Sequence, residues 1–291
     1  MVFLLAARPP FSLRVVVNSH GWVQLAPFSH DEESDGFDYV MELSSGQVID
    51  LRVRPADGGD VQMETAAALT AAEAEELIGR VTWMLGLDQD LTPFYDLARA
   101  EPKLASMAEQ GRGRILRSAT LFEDAVKTLC TVNTSWAGTK RMVRGLVEGY
   151  GAEHARAPGR RAFPTAARLA AASEQDLRAN AKLGFRAPFV LGLAQAVAAG
   201  AVDLEALRES TAPTLEVRKQ LLGIKGIGDY AAANLLMILG RYDFIPVDSW
   251  ALKVVSKEWH EGQPIGRAEV EAAFAHWGKW KGLAYWFWAY A

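Results

Sequence analysis

Two periodicities divide the chain. Over the first 65 or so residues, short runs rich in β-branched and aromatic residues (Leu13–Val17, Trp22–Leu25, Phe37–Leu43, Gln47–Val53) alternate with turn formers: Asn18-Ser19-His20-Gly21, the acidic loop Asp31–Gly36, Ser44-Ser45-Gly46 and Asp57-Gly58-Gly59. Runs this short, with turns this close, predict an antiparallel meander. From Thr70 the period becomes helical. Thr70-Ala71-Ala72-Glu73 has the form of a capping box, in which hydroxyl and carboxylate each take up an exposed amide, and predicts a helix to about Leu85. Helical patterns recur near 93–100, 102–109, 121–131, 135–150, 165–171, 174–181, 186–199, 203–209, 214–222, 229–239, 248–258, 267–276 and 282–290. Strands followed by many helices predict an α+β fold, with an antiparallel sheet subdomain over 1–85 and a mostly helical body over 86–291.

Several classes are disfavoured by the same pattern. No glycine-rich phosphate loop follows a strand, so a dinucleotide fold has no support. Met1–Phe11 is briefly apolar but lacks a basic leading region and runs into Pro9-Pro10, and it reads as a strand lead-in rather than a signal peptide. Phe189–Val202 is too short to span a bilayer and contains Gln195. Ala155–Arg161 reads as a mobile basic loop.

Composition adds two points. The single cysteine, Cys130, cannot make an intrachain disulfide, a multi-thiolate zinc site or an iron–sulfur cluster. The five histidines, His154, His260 and His276 among them, have no metal-ligand spacing, so no metal is expected. A reduced, cytoplasmic protein follows, with no membrane partner.

The net charge of −4 argues at first against a nucleic-acid partner, but it is unevenly placed. Residues 1–100 hold 6 basic and 16 acidic side chains, whereas 111–190 hold 14 basic and 6 acidic. This asymmetry suggests a polyanion surface on the second part, unless it is only uneven solvation of helix faces.

The most informative segment is Leu221-Leu222-Gly223-Ile224-Lys225-Gly226-Ile227-Gly228-Asp229-Tyr230. One helix ends at about Leu222 and another starts at about Asp229. The glycines permit positive φ and close backbone approach, and the turn leaves amides at a helix N-terminus able to hold a phosphate. Ile224 and Ile227 can anchor the turn from below. This is a helix–hairpin–helix pattern, a sequence-independent grip on a DNA backbone; the plainer reading is a helical hairpin with a glycine cap. Twenty residues after Gly228 comes Asp248, within Ile245-Pro246-Val247-Asp248-Ser249-Trp250. Pro246 enforces an extended approach and puts Asp248 at the start of the next helix, where an aspartate is also an ordinary N-cap.

Together the hairpin and Asp248 resemble the helix–hairpin–helix superfamily of base-excision DNA glycosylases, in which the aspartate after Pro-Val faces the flipped nucleotide. Gly113-Arg114-Ile115-Leu116-Arg117, Leu121-Phe122-Glu123, Cys130-Thr131-Val132-Asn133, Met142-Val143 and Leu146 resemble the first body helices of the 8-oxoguanine branch. Phe163-Pro164-Thr165 and Leu183-Gly184-Phe185-Arg186-Ala187 continue in the same order. The likeness covers roughly 110–290. The strand-rich front resembles the N-terminal sheet of the 8-oxoguanine and 3-methyladenine branches.

The resemblance implies a two-lobed helical body that flips a damaged base from duplex DNA and cuts its glycosidic bond. Asp248 would be catalytic, and Gly223, Ile224, Lys225, Gly226, Ile227 and Gly228 would grip the backbone. Phe185 would be the wedge in the stack, with Arg186 and Asn133 at the unpaired base. Tyr230, Trp250, Trp136 and Asn234 are pocket candidates. Bifunctional members carry a Schiff-base lysine two residues after the last hairpin glycine; here that position is Tyr230, which implies a monofunctional enzyme. The lone cysteine disfavours the branches with a four-cysteine cluster.

The aromatic run Trp277, Trp280, Tyr285, Trp286, Phe287, Trp288 and Tyr290 reads better as a core seam than as a pocket wall. No cofactor is expected, beyond a monovalent cation of the kind that bridges related hairpins to phosphate. The expected partner is double-stranded DNA with a damaged base, and the expected state a monomer. The expected substrate is an alkylated purine such as 3-methyladenine, the alternatives being 8-oxoguanine or a non-catalytic DNA-binding module.

Overall fold

A computed structural model describes residues 1–289. The element order is β1 (Val2–Leu5), α1 (Leu13–Val17), β2 (Phe28–Asp31), β3 (Gly36–Glu42), β4 (Val48–Pro55), β5 (Val61–Glu64), α2 (Ala71–Leu85), α3 (Thr92–Ala98), α4 (Leu121–Thr131), α5 (Trp136–Tyr150), α6 (Ala166–Ala170), α7 (Glu174–Ala179), α8 (Ala187–Ala198), α9 (Thr214–Leu222), α10 (Asp229–Ile238), α11 (Ser249–Trp259), α12 (Arg267–Ala273) and α13 (Lys281–Ala289). The chain divides into two compact units. The first joins Met1–Gln89 to Arg114–Ala206, and the second joins Asp90–Gly113 to Leu207–Ala291. The sheet and α2 lie in the first unit, and the helical body is shared by both.

The first unit holds a five-stranded antiparallel sheet in the order β1-β5-β4-β3-β2. β2 to β5 form the expected meander, and β1 returns to pair with β5 at the edge. Register puts Phe37 opposite Val53, Tyr39 opposite Leu51 and Met41 opposite Ile49, so one face of β3 and β4 is a buried apolar row.

The meander differs from expectation at its start. Leu13–Val17 is a short helix and Gly21–Gln24 a single 3₁₀ turn. Leu13, Val16 and Val17 are buried at i, i+3 and i+4, so one helical face satisfies a run whose β-branched residues suggested a strand. The Met1–Phe11 lead-in supplies β1, and four-residue strands form at Phe28–Asp31 and Val61–Glu64.

The capping box at Thr70 is present, with the Glu73 amide donating to the Thr70 hydroxyl and the Thr70 amide to the Glu73 carboxylate. Residues 102–109 form successive turns rather than a helix. The amides of Leu104 and Met107 each reach back only three residues, and these two side chains are buried at that spacing. Around 203–209 only Glu205–Leu207 makes a 3₁₀ turn. The basic loop after Ala155 is pinned. Arg160 Nε lies 2.6 Å from Asp50, Arg161 pairs with Glu153 at 2.8 Å, and Glu153 and Arg161 form a bridge.

Helix α4 carries charge through the core of this unit. Glu123, Asp124 and Lys127 are each no more than 2% exposed. Lys127 Nζ lies 2.6 Å from Glu123 Oε1 and over the Phe28 ring, and the Tyr39 hydroxyl donates to Glu123 Oε2 at 2.5 Å. Asp124 Oδ1 accepts from Trp22 Nε1 at 2.7 Å and from the Ser118 amide at 3.0 Å. Burial dominates these hydrogen bonds and raises Asp124 to about 6. Burial also raises the Tyr39 hydroxyl well above its usual range, with Glu123 adding to the shift. A buried charge network of this kind survives only because each charge is met by a partner.

Arg114 is buried too. It donates to the carbonyls of Gly86, Pro10, Arg8 and Gln89, which ties the N-terminal segment to the end of α2.

The second unit is helical. An aromatic seam closes it: Phe94 meets Trp277 and Trp280 at 5.8 and 5.5 Å, Tyr242 stacks on Trp280 at 5.5 Å, and Trp259 meets Trp288 at 5.0 Å. Those members of the C-terminal aromatic run therefore pack the core, and Tyr290 lies outside the described residues. Among the described residues, no helix is long and apolar enough to cross a membrane.

Candidate functional site

The hairpin forms within the second unit, with α9 ending at Leu222 and α10 starting at Asp229. The chain turns through 3₁₀-type bonds, the Ile224 amide donating to Leu221 O at 3.1 Å and the Ile227 amide to Ile224 O at 3.0 Å. Gly226 has φ of +96°, a conformation that an L side chain resists. Ile224 and Ile227 are buried beneath the turn, whereas Gly223, Lys225, Gly226 and Gly228 are exposed. Among the described residues, the Lys225, Gly226 and Gly228 amides have no protein acceptor. Apolar residues below and unsatisfied donors above make a surface able to bind an anion.

Asp248 caps α11, its Oδ1 accepting from the Ala251 amide at 2.9 Å. Ile245 and Pro246 are buried, and Asp248, Ser249 and Trp250 emerge into solvent. The cap fixes the carboxylate with one oxygen engaged, which constrains its orientation. The loop before it is held from α13. The Gly282 amide donates to Tyr242 O at 2.7 Å, and a Cβ on Gly282 would meet Phe244 O at 2.4 Å. Gly282 was not evident from sequence, because a glycine inside an aromatic run gives no local sign of a remote backbone packed against it.

The pocket candidates separate. Tyr230 and Asn234 are one turn apart on α10, and the Asn234 side-chain Nδ2 donates to the Tyr230 carbonyl at 3.0 Å. Trp250 is 42% exposed at the start of α11, with the Lys253 ammonium 5.6 Å from its ring. Trp136 belongs to the first unit. Its indole packs against Gly21, where a Cβ would come within 2.3 Å of the ring, and its Nε1 donates to Gln24 at 2.9 Å.

Phe185, Arg186 and Asn133 all lie in the first unit. Phe185 is 49% exposed on a 3₁₀ turn, Gly184–Arg186. Arg186 is 6% exposed, neither solvated nor projecting. Its guanidinium donates to the Val132 carbonyl at the end of α4 and lies 4.3 Å from the Phe185 ring centre. Burial lowers its basicity. Asn133, next in the chain, is exposed with φ of +50°. Arg186 thus ties the turn that carries the exposed Phe185 to the end of α4, one residue before Asn133.

Among the described residues, no group of three His, Cys, Asp or Glu could hold a metal ion. Cys130 is buried, and desolvation pushes its thiol up to about 12, so it is no nucleophile.

No family model matches the chain. A DNA-3-methyladenine glycosylase of Bacillus subtilis (strain 168) is 28% identical over 182 residues, which cover 61% of this chain and 59% of that protein's length. A 3-methyladenine DNA glycosylase from Archaeoglobus fulgidus superposes with a TM-score of 0.78 at 19% identity, over 99% of this chain and 97% of that one. The apo form of Clostridium acetobutylicum 8-oxoguanine glycosylase/lyase gives 0.76 at 19% identity, over 100% and 96%. The chain therefore has the fold shared by these 3-methyladenine and 8-oxoguanine DNA glycosylases: an N-terminal antiparallel sheet followed by a mostly helical body with a helix–hairpin–helix.

Proposed function

We propose that the chain is a monofunctional base-excision-repair DNA glycosylase that takes an alkylated purine such as 3-methyladenine from duplex DNA. The observation that carries this reading is the pairing, in one unit, of a hairpin with unsatisfied amides and an exposed, oriented carboxylate at Asp248. The hairpin holds the backbone by phosphate. Cleavage of the glycosidic bond builds positive charge on the sugar, which the Asp248 carboxylate stabilises while it orients the attacking water. The relative named for 3-methyladenine supports the substrate class. Tyr230 stands where a lyase would carry its lysine, so water is the nucleophile and an abasic site is the product.

The turn carbonyls of Gly223 and Lys225 accept from no protein donor among the described residues, so they would hold a monovalent cation, which would supply positive charge for a phosphate at the turn. The same reading makes it a cytoplasmic monomer, associated with the nucleoid if the source is bacterial.

The second reading is 8-oxoguanine excision. It is favoured by the exposed Phe185 and the exposed Asn133, which would wedge the stack and read the unpaired base, and by the fold shared with the Clostridium enzyme. Release assays on duplexes carrying either lesion separate the two. Release of 3-methyladenine alone supports the proposal, and release of 8-oxoguanine alone overturns its substrate. Binding of duplex without release of any base leaves only a DNA-binding module. A borohydride-trapped adduct on abasic DNA refutes the monofunctional assignment.

A further inference from the structure

A closed ring of side chains joins the hairpin to the loop that carries Asp248. Arg218, on α9, pairs with Asp229, the residue after Gly228 of the hairpin. The Arg218 guanidinium also lies 4.8 Å from the centre of the Phe244 ring, and Phe244 is four residues before Asp248. The Lys281 ammonium lies 5.7 Å from the same ring and pairs with Glu271 at 2.6 Å. Arg267 closes the ring, 4.0 Å from Glu271 and 3.6 Å from Asp229. Five charges and one aromatic thus tie α9, α10, α12 and α13 to one loop.

The geometry has a consequence for catalysis. A hairpin that holds a phosphate places the sugar at a set distance along the strand, so the carboxylate must keep a fixed offset from the turn. The chain itself does not supply that offset. α10 runs away from the hairpin for ten residues, and the return segment after Gly240 has no regular structure. Its amino-terminal half is anchored at Tyr242 and Phe244, and Phe244 is the anchor whose partner, Arg218, also holds the hairpin through Asp229.

We propose, on the reading of Asp248 as the catalytic carboxylate, that Arg218 and Phe244 are positioning residues that hold Asp248 in register with the phosphate grip. They touch neither the reacting sugar nor the base.

Arg218, Glu271 and Lys281 are half-buried and Asp229 and Arg267 more exposed, and ion pairs of this kind contribute modestly to stability, so the ring's main effect is on position rather than on folding. Methionine at 218 keeps an apolar stem over Phe244 and loses the charge, the ion pair with Asp229 and the attraction to the ring. Displacement of a catalytic group by about 1 Å can cost on the order of 100-fold in rate.

The test compares wild type, Arg218→Met, Arg218→Lys and Phe244→Leu by three readouts: single-turnover base release, affinity for undamaged duplex, and hydrogen exchange at the Val247 and Ala251 amides. Those amides donate to Ile245 O and Asp248 Oδ1, both at 2.9 Å, and lie far from 218 in sequence. Arg218→Met and Phe244→Leu are expected to slow release by roughly 10- to 100-fold, with duplex affinity unchanged and faster exchange at both amides. Arg218→Lys is expected to recover part of the rate. Unchanged release, or affinity falling as far as rate, overturns the inference, the latter because Arg218 then belongs to the DNA grip. Absence of release by the wild type refutes the glycosylase reading instead. Exchange still decides the coupling, and unchanged exchange in both variants refutes it whatever the wild type does.

Discussion

Gly282→Ala isolates the packing that holds the loop carrying Asp248. The new methyl would sit 2.4 Å from Phe244 O, 2.9 Å from Tyr242 O and 3.0 Å from Met237 Sδ. Ordinary carbon contacts begin at 3.4 Å, so the loop backbone must retreat by about 1 Å. Two opposing effects set the stability change. Alanine is the better helix former by about 1 kcal/mol. Overpacking against backbone that cannot rotate aside costs about 1–3 kcal/mol, so the net expectation is a loss of roughly 0–2 kcal/mol. The functional effect should be larger. A retreat of about 1 Å four residues before Asp248 moves the carboxylate off the sugar and slows base release on the order of 100-fold. The hairpin is untouched, so duplex affinity should hold. The assay is single-turnover release of the damaged base, with urea denaturation to confirm folding. A folded Gly282→Ala protein that releases base at the wild-type rate refutes the claim that this loop positions the catalytic group.

Three other outcomes follow from the structure. His20 stacks on Trp22 at 4.6 Å, and burial, with the nearby Lys127 charge second, lowers it to about 3. The unfolded chain therefore takes up this proton near pH 6.5 while the fold refuses it, and stability is lost as pH falls from 6.5 toward 3; Asp124, raised to about 6, works in the opposite sense between 6 and 4. His20→Phe should gain about 1–3 kcal/mol on wild type between pH 7 and pH 4, read by urea denaturation at both, and a constant difference contradicts the assignment. Tyr39→Phe removes the hydroxyl donor to the buried Glu123 and should cost about 1–3 kcal/mol at pH 7, with no loss indicating that the carboxylate is otherwise satisfied. Lys225→Ala on the exposed turn should weaken binding to every duplex sequence alike and reduce the logarithmic salt slope by about 1, whereas a sequence-dependent loss would mean that Lys225 reads bases.

Features that depend on local chemistry were legible in the sequence. The reciprocal cap at Thr70 and Glu73, the two ends of the hairpin at Leu222 and Asp229, and the capping position of Asp248 each follow from residues within one or two turns. Features decided by remote partners were not. The valine run at 15–17 became a helical turn because its apolar face found a tertiary cover. Glu123 and Lys127 have the i, i+4 spacing of a surface pair, yet they are buried because Tyr39, 84 residues away, supplies a donor. Arg186 follows an exposed aromatic, yet its guanidinium turns inward to a carbonyl 54 residues earlier. The basic run after Ala155 showed its charge but not Asp50, the carboxylate that pins it. Net charge misled for a related reason, since an acidic sheet region and a basic middle cancel in the sum.

The central claim, that Asp248 is the catalytic group beside a separate phosphate grip, is tested most directly by Asp248→Asn measured for base release and for duplex binding together. Asparagine caps a helix as well as aspartate does, so the Ala251 amide keeps its acceptor and the protein should fold. The account predicts a loss of release on the order of 100- to 1,000-fold, with duplex affinity kept within about threefold. Release at the wild-type rate would contradict the role of Asp248, and loss of binding with loss of release would contradict its separation from the hairpin grip.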